Sequence, residues 1–122
     1  MEHRKLIDHI MPNSTAPELT VLVLDEPGPG GANHAYRVEK APGDVVANVV
    51  FQRGPINEAG LNGVSHEALL AIVIDRLRAF QNGAFACREN ATALGHLEAA
   101  VSVMHLRTFR RTARAVEGTS AV

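Results

Sequence analysis

A long helical periodicity near the C-terminus constrains the fold more than any other feature. Apolar residues recur there at steps of 3, 4 and 3 positions, the spacing of one helix face packed against another helix. This seam consists of Leu94, Leu97, Val101 and Met104. Continuing the same steps reaches polar residues at both ends, namely Asn90, Thr108 and Arg111. The pattern predicts one helix over residues 86–114, about 40 Å long at 1.5 Å per residue.

A shorter helix is predicted before it, over residues 64–82. Ser65 is suited to cap its N-terminus, and Gln81-Asn82-Gly83 is a typical helix end. Two consecutive helices form a hairpin. Because the second helix is longer than the small sheet it would cover, we expect it to pack against a partner chain, in a dimer at least. A monomeric hairpin with a frayed end is the alternative.

The first half of the chain indicates β-structure. Residues 19–52 hold three apolar segments separated by turns rich in Gly and Pro, which predicts an antiparallel meander of three or four strands. The remaining segments are an arm or short helix (1–18), a connector (53–63) and a C-terminal lid or tail (115–122). At 122 residues we expect a single domain, 1–122. The predicted fold class is α+β, a small antiparallel sheet followed by a two-helix hairpin.

Composition excludes several classes of protein. A net charge of −1 argues against a uniformly basic nucleic-acid-binding protein, so no nucleic-acid partner is expected. The single cysteine, Cys87, excludes an intrachain disulfide and a cysteine-only zinc site. No apolar run has the length of a membrane span or a signal peptide, so no membrane partner is expected. We therefore expect a cytoplasmic protein.

None of the short motifs predicts catalysis. SHEALL (65–70) begins like a zinc-protease motif, but Leu70 stands where the second His is required. The segment Pro27–Gly31 matches neither phosphate-binding loop pattern and indicates a hairpin turn. We predict no catalytic residue, no metal and no cofactor.

Four arginines fall within residues 107–114, and two explanations stay open. Arg107, Arg111 and Arg114 are spaced by 4 and 3 positions and share one helix face. Such crowding costs stability unless an anion or an acid screens it, and the planar guanidinium fits phosphate. The alternative is a solvated helix end, which the C-terminal dipole favours.

Five segments of the second half carry a family resemblance. They are FQRGPINEAGLNG (51–63), EALLAIVIDRLRAFQNG (67–83), FACRENATAL (85–94), HLEAA (96–100) and RTFRRTARAVEGT (107–119). With these segments the chain resembles the first type of viral Thoeris anti-defence proteins, which are sponges for an immune signal. A second viral family, which binds the cyclic dinucleotides of CBASS defence, shares the two-helix hairpin.

The resemblance implies a function. It implies that the chain binds glycocyclic ADP-ribose, the messenger made by Thoeris TIR enzymes, and holds it without cleavage in the infected bacterial host. The effector of the defence would then stay inactive. The resemblance also implies a homodimer or a hexamer, and for some members separate pockets for cyclic di- or trinucleotides.

The resemblance further assigns ligand-binding residues. Arg107 and Arg111 would bind the diphosphate. Phe80 would stack on adenine or support an arginine that does, and Asn90 would hydrogen-bond a base or a ribose. The set is completed by Arg53, Glu117, Gly118 and Thr119. In the ending RAVEGT, Ala115 stands where relatives have Gly.

The spacing along the second helix adds a constraint on the pocket. Asn90 and Arg107 are 17 residues apart, about 25 Å along one helix, so one helix cannot place both on one small ligand. An antiparallel partner would bring Arg107 of one chain beside Asn90 of the other. Two equivalent pockets per dimer would follow.

Two other functions stay open. The chain could be an enzyme that degrades such a signal, and recovery of intact ligand separates that from a sponge. It could also be a nucleic-acid-binding or structural phage protein that uses the arginine-rich end, with a steep salt dependence of DNA binding.

Overall fold

The computed structural model describes residues 3–14, 18–115 and 117–120. These residues have an α+β fold, as predicted. Contacts divide the chain into two compact units, a sheet unit of Met1–Gly54 with Leu61–Gly63 and a helical unit of Pro55–Gly60 with Val64–Val122. A single domain over 1–122 stays a prediction. The predicted arm and tail both include positions outside the described residues, namely 1, 2, 15–17, 116, 121 and 122.

The sheet unit is a four-stranded antiparallel meander in which each strand pairs with the next. Its strands are β1 (Arg4–Leu6), β2 (Thr20–Val23), β3 (Ala35–Ala41) and β4 (Asp44–Val50). Leu22 and Val23 of β2, a strand with a neighbour on each side, are buried. The strand β1 falls in the segment predicted as an arm or helix. Its three residues have no alternating pattern of their own, and they become a strand by pairing with β2.

The connector approaches the end of the sheet closely at Gly63. A Cβ at this position would lie 2.4 Å from the carbonyl carbon of Phe51 and 2.6 Å from the amide nitrogen of Gln52. Backbone atoms cannot move aside as a side chain can. Glycine is therefore required here by space.

The helical unit contains α1 (Ile56–Ala59), α2 (His66–Gln81) and α3 (Arg88–Ala113). The helices α2 and α3 lie inside the two predicted helical segments, whereas α1 falls in the predicted connector. Ser65 caps α2, since its hydroxyl accepts a hydrogen bond from the amide of Ala68 at 3.1 Å. Cys87 caps α3, and its sulfur accepts from the amide of Asn90 at 3.4 Å. Among the described residues, none of the helices combines the length and the hydropathy that a membrane span needs.

The predicted apolar seam is the least exposed face of α3. On α2, Ile74 is buried, and an ion pair of 2.7 Å between Arg78 and Glu98 joins the two helices. The helices α2 and α3 thus contact each other within the hairpin of one chain. Large apolar side chains on other faces of the helical unit are exposed. They are Ile56, Ile72, Val73, Phe85, Val103, Leu106 and Phe109.

Candidate functional site

The C-terminal end of α3 carries a groove of about 280 Å³. The groove is lined by Val103, Leu106, Arg107, Arg110, Arg111 and Arg114. Three of these arginines, Arg107, Arg110 and Arg114, are exposed. Within residues 3–14, 18–115 and 117–120, no carboxylate lies within ion-pair distance of any of the three. The groove thus combines apolar surface with unneutralised positive charge.

Arg111 differs from these three because it is only 6% exposed. Its Nε lies 3.3 Å from Oε2 of Glu117. Its Nη2 donates a hydrogen bond of 3.1 Å to the backbone oxygen of Thr119. Three residues that the resemblance assigns to the ligand, Arg111, Glu117 and Thr119, therefore lie together.

The tail segment 117–119 is also held by Asn57 of α1, a residue that the sequence analysis did not select. The Asn57 amide donates to the Gly118 oxygen at 3.1 Å, and its Nδ2 donates to the Glu117 oxygen at 3.3 Å. Gly118 has φ of 79°, and a Cβ there would lie 2.7 Å from Asn57 Nδ2. The only signal for Asn57 in the sequence is its place in the segment 51–63, which carries the family resemblance.

The chain turns from α3 into the tail at Ala115, which has φ of 59°. This is the left-handed region, and the position follows the C-cap Arg114, where glycine is usual. Alanine adopts the same conformation here at a cost in strain.

The opposite end of the hairpin, called the tip below, holds Phe80 and Asn90. The edge of one ring of the Phe80–Phe85 pair meets the face of the other, with centroids 5.9 Å apart. Arg76 Cζ lies 5.2 Å from the centre of the Phe80 ring, in a cation–π contact. Asn90 Nδ2 donates to the Phe85 oxygen at 3.5 Å. Phe80 therefore contacts an arginine of its own chain, and its role towards a ligand stays a prediction.

Phe85 was not selected from the sequence, although it lies in the segment FACRENATAL. Phe85 is 73% exposed, whereas Phe80 is half-buried beneath Arg76. Exposure depends on how α2 and α3 meet, which the local sequence does not reveal. Phe85 is thus the more exposed of the two aromatic rings at the tip.

Arg53 lies in the sheet unit and is bound to Asp25. Its Nη2 lies 2.7 Å from Asp25 Oδ2, and the Asp25 carboxylate also accepts from the amides of His34 and Ala35 at 3.1 and 3.2 Å. Partial burial acts to raise the pKa of Asp25. The two amides and the Arg53 guanidinium outweigh that effect and lower the pKa below its ordinary value of 3.8. The Arg53 charge is thus already balanced by an acid.

The structure therefore sorts the assigned residues of the helical unit into two groups. Phe80 and Asn90 lie at the tip, and Arg107 and Arg111 lie with segment 117–119 at the other end of α3. Within the described ranges, no group of three or more His, Cys, Asp or Glu side chains is placed to hold a metal ion.

The comparisons with known proteins agree with this architecture. A family model described as the Acb2/Tad1 hairpin domain matches residues 43–109. The chain is also 48% identical, over 92 residues, to Thoeris anti-defense 1 of Bacillus phage SBSphiJ7. That match covers 75% of this chain and 64% of the relative, so the chain matches less than two thirds of the relative's length. The family model spans more than half of the chain, and the chain therefore belongs to the Acb2/Tad1 hairpin-domain family.

Proposed function

We propose that the chain is a non-enzymatic phage anti-defence protein that binds and sequesters a cyclic nucleotide immune signal. Glycocyclic ADP-ribose is the proposed ligand, and the cytoplasm of the infected bacterium is the proposed place of action. The observation that carries the proposal is the division of complementary groups between the two ends of α3. One end offers guanidinium groups, and the other offers an exposed aromatic ring and an amide.

The chemistry of each end fits a different part of such a ligand. A diphosphate is bound well by the planar, bidentate fork of arginine, as in Arg107. An adenine base is bound by an aromatic face, as in Phe85, and by an amide that both donates and accepts hydrogen bonds, as in Asn90. Glycocyclic ADP-ribose contains both parts.

The two ends belong to one ligand only if a second chain takes part. Asn90 and Arg107 are about 25 Å apart along α3, and the groove of about 280 Å³ lies at the lower limit of ligand pockets. An antiparallel partner brings the tip of one chain to the groove of the other. It also covers Val103, Leu106 and Phe109, which are exposed in the single chain. Each pocket is then built from both chains.

Sequestration requires tight binding rather than turnover. A sponge at limited copy number competes with the effector for its signal, which calls for nanomolar affinity, about −12 kcal/mol. A ligand of nucleotide size reaches that value when it is largely enclosed. Enclosure between two chains, with segment 117–119 beside the groove, meets this requirement.

A calorimetric titration tests the function. The panel contains glycocyclic ADP-ribose, cyclic ADP-ribose, cyclic dinucleotides and cyclic triadenylate. After each titration the complex is heated to release the bound ligand, and the ligand is analysed by chromatography. We expect nanomolar binding of glycocyclic ADP-ribose and its recovery intact. Recovery of altered ligand would identify an enzyme, and no binding to any panel member would refute the proposal.

A complementation experiment tests the two-chain pocket. Asn90→Ala and Arg107→Ala are each expected to weaken binding strongly. When the two variants are unfolded together and refolded, half of the dimers contain one chain of each, and each of these has one intact pocket. We expect about a quarter of the wild-type number of tight sites to return, since statistical exchange in a symmetric dimer requires it. If no tight sites return, the pocket lies within one chain.

A further inference from the structure

We propose that Asn82 is a site of spontaneous deamidation, and that the fold protects Asn62 from the same reaction. Asparagine is followed by glycine at these two positions of the chain. The Asn-Gly pair is the most reactive context for deamidation, because glycine has no side chain to hinder the attack of its amide nitrogen. Sequence alone therefore makes the two asparagines equally reactive, and only their surroundings distinguish them.

The reaction is a ring closure followed by hydrolysis. The amide nitrogen of Gly83 loses its proton and attacks Cγ of Asn82, and the side-chain nitrogen leaves as ammonia. The resulting succinimide takes up one water molecule, which breaks one of the two C–N bonds of the ring. Breaking one bond leaves aspartate, and breaking the other leaves isoaspartate, in which the main chain runs through the former side chain. No electrons are transferred, and water is the only co-reactant.

Asn82 is available for this reaction. It is the exposed C-cap of α2, and in the described part of the chain no hydrogen bond involves its side chain. The Gly83 amide donates one hydrogen bond of 3.1 Å, to the Phe80 oxygen. Because this bond closes the last turn of a helix, where local opening costs least, the attacking nitrogen is readily released.

Glycine at position 83 is required neither by conformation nor by space. Helices commonly end in a glycine with positive φ, but Gly83 does not have that conformation. A Cβ at this position would lie 3.6 Å from the Ala79 oxygen, an ordinary van der Waals contact. Alanine therefore fits at position 83, and it can be used to test the reaction without disturbing the turn.

Asn62 is held by three hydrogen bonds. Its Oδ1 accepts from the Arg53 amide at 2.7 Å, its Nδ2 donates to the Arg53 oxygen at 2.8 Å, and its own amide donates to Oε1 of Gln52 at 2.9 Å. The next residue, Gly63, lies against the Phe51 backbone. Ring closure would have to turn the Asn62 side chain away from Arg53 and move Gly63. This site therefore reacts only after local unfolding.

Peptide mapping by mass spectrometry tests the assignment. Native protein and urea-unfolded protein are incubated side by side in mildly alkaline buffer, in water enriched in the heavy oxygen isotope, which labels each converted residue. In the native protein we expect Asn82 to convert at least about tenfold faster than Asn62, because the Asn62 side chain must first break two hydrogen bonds. In urea we expect similar rates. Similar rates in the native protein, or a native Asn82 that stays unchanged while it converts in urea, would overturn the proposal.

Two alanine variants separate ring closure from other routes. Gly83→Ala is expected to slow the conversion of Asn82 to a rate near that of Asn62, with unchanged far-UV circular dichroism. The matched control is Gly95→Ala in α3, where a Cβ meets open space, and it should leave the conversion of Asn82 unchanged. Equal conversion of Asn82 in the two variants would show that the Gly83 amide does not attack, and would contradict the proposal.

Conversion of Asn82 is also expected to weaken ligand binding at the tip, a consequence that rests on the proposed function. Isoaspartate adds one methylene to the main chain of the turn that two hydrogen bonds of 3.1 Å between Gln81 and Cys87 hold together. It also places a carboxylate at the C-terminus of α2, where the helix dipole disfavours negative charge. Aged wild-type protein should therefore lose tight sites for glycocyclic ADP-ribose in proportion to conversion, whereas aged Gly83→Ala should keep them.

The same samples distinguish failure of the modification from failure of the proposed function. If fresh and aged wild-type protein bind glycocyclic ADP-ribose equally although Asn82 has converted, the modification site stands and its effect on binding is refuted. If Asn82 converts but even fresh protein binds no cyclic nucleotide, the modification site stands and the proposed function is wrong.

Discussion

Replacing Ala115 by glycine is expected to stabilise the helical unit. Ala115 is exposed and has φ of 59°, in the left-handed region. An L-residue there costs about 1 to 2 kcal/mol. Glycine removes that strain, but the larger conformational freedom of the unfolded chain takes back about 0.4 to 1 kcal/mol. The net gain is therefore about 0.5 to 1 kcal/mol, which corresponds to about 2 to 4 °C in Tm for a chain of this size.

The assay is urea and thermal unfolding of both proteins at one fixed concentration, because an associating protein has a concentration-dependent Tm. Ala71→Gly is the matched control, since Ala71 is exposed within α2. The control is expected to lose about 1 kcal/mol, the helix-propensity difference between the two residues. If Ala115→Gly loses as much stability as Ala71→Gly, the left-handed turn into the tail is refuted.

Three further predictions concern other positions. Gly63→Ala places a Cβ against the Phe51 backbone and is expected to lower the free energy of unfolding by about 2 kcal/mol or more, measured by chemical unfolding. Gly95→Ala, which has open space in the middle of α3, is expected to raise it by about 1 kcal/mol. Equal changes in the two variants would contradict this prediction. Gly118→Ala, strained at φ of 79°, should weaken binding of the cyclic nucleotide and leave the far-UV circular dichroism unchanged. Asp25 has a lowered pKa, so its stabilising effect is complete above pH 3.8 and is lost as the pH falls through the lower folded value. Carboxyl-carbon NMR should show that midpoint below 3.8, and a midpoint above it would contradict the geometry.

The sequence predicts the helices well because their signals are local. The 3-4 spacing and the caps place the hairpin at 64–82 and 86–114, against His66–Gln81 and Arg88–Ala113 in the structure. Strand β1 was missed because three residues, RKL, carry no periodicity and depend on a partner strand. The packing of the second helix against a partner chain stays a prediction, because the spacing of an apolar seam is the same for a neighbouring helix of one chain and for a helix of a second chain.

The sequence predicts which residue types make up the candidate site, but it predicts less well which contacts each residue makes. The crowding of arginines in 107–114 was visible, and so were the polar ends of the seam. The difference between Arg111 and Arg110 was not, because it depends on where the tail returns to α3. The contact between Asn57 and the tail was invisible for the same reason. The assignment of ligand-binding residues stays a prediction.

The bond between Asn57 and the Glu117 backbone has a consequence for the order of folding. It joins positions 60 residues apart. Closing a flexible loop of that length costs about 4 kcal/mol in chain entropy, more than one hydrogen bond returns. The α2–α3 hairpin forms from contacts much nearer in sequence, and once formed it shortens the effective loop. The C-terminal end of α3 and segment 117–119 therefore come together after the hairpin, so a kinetic probe at Asn57 should report a later folding phase than helix formation itself.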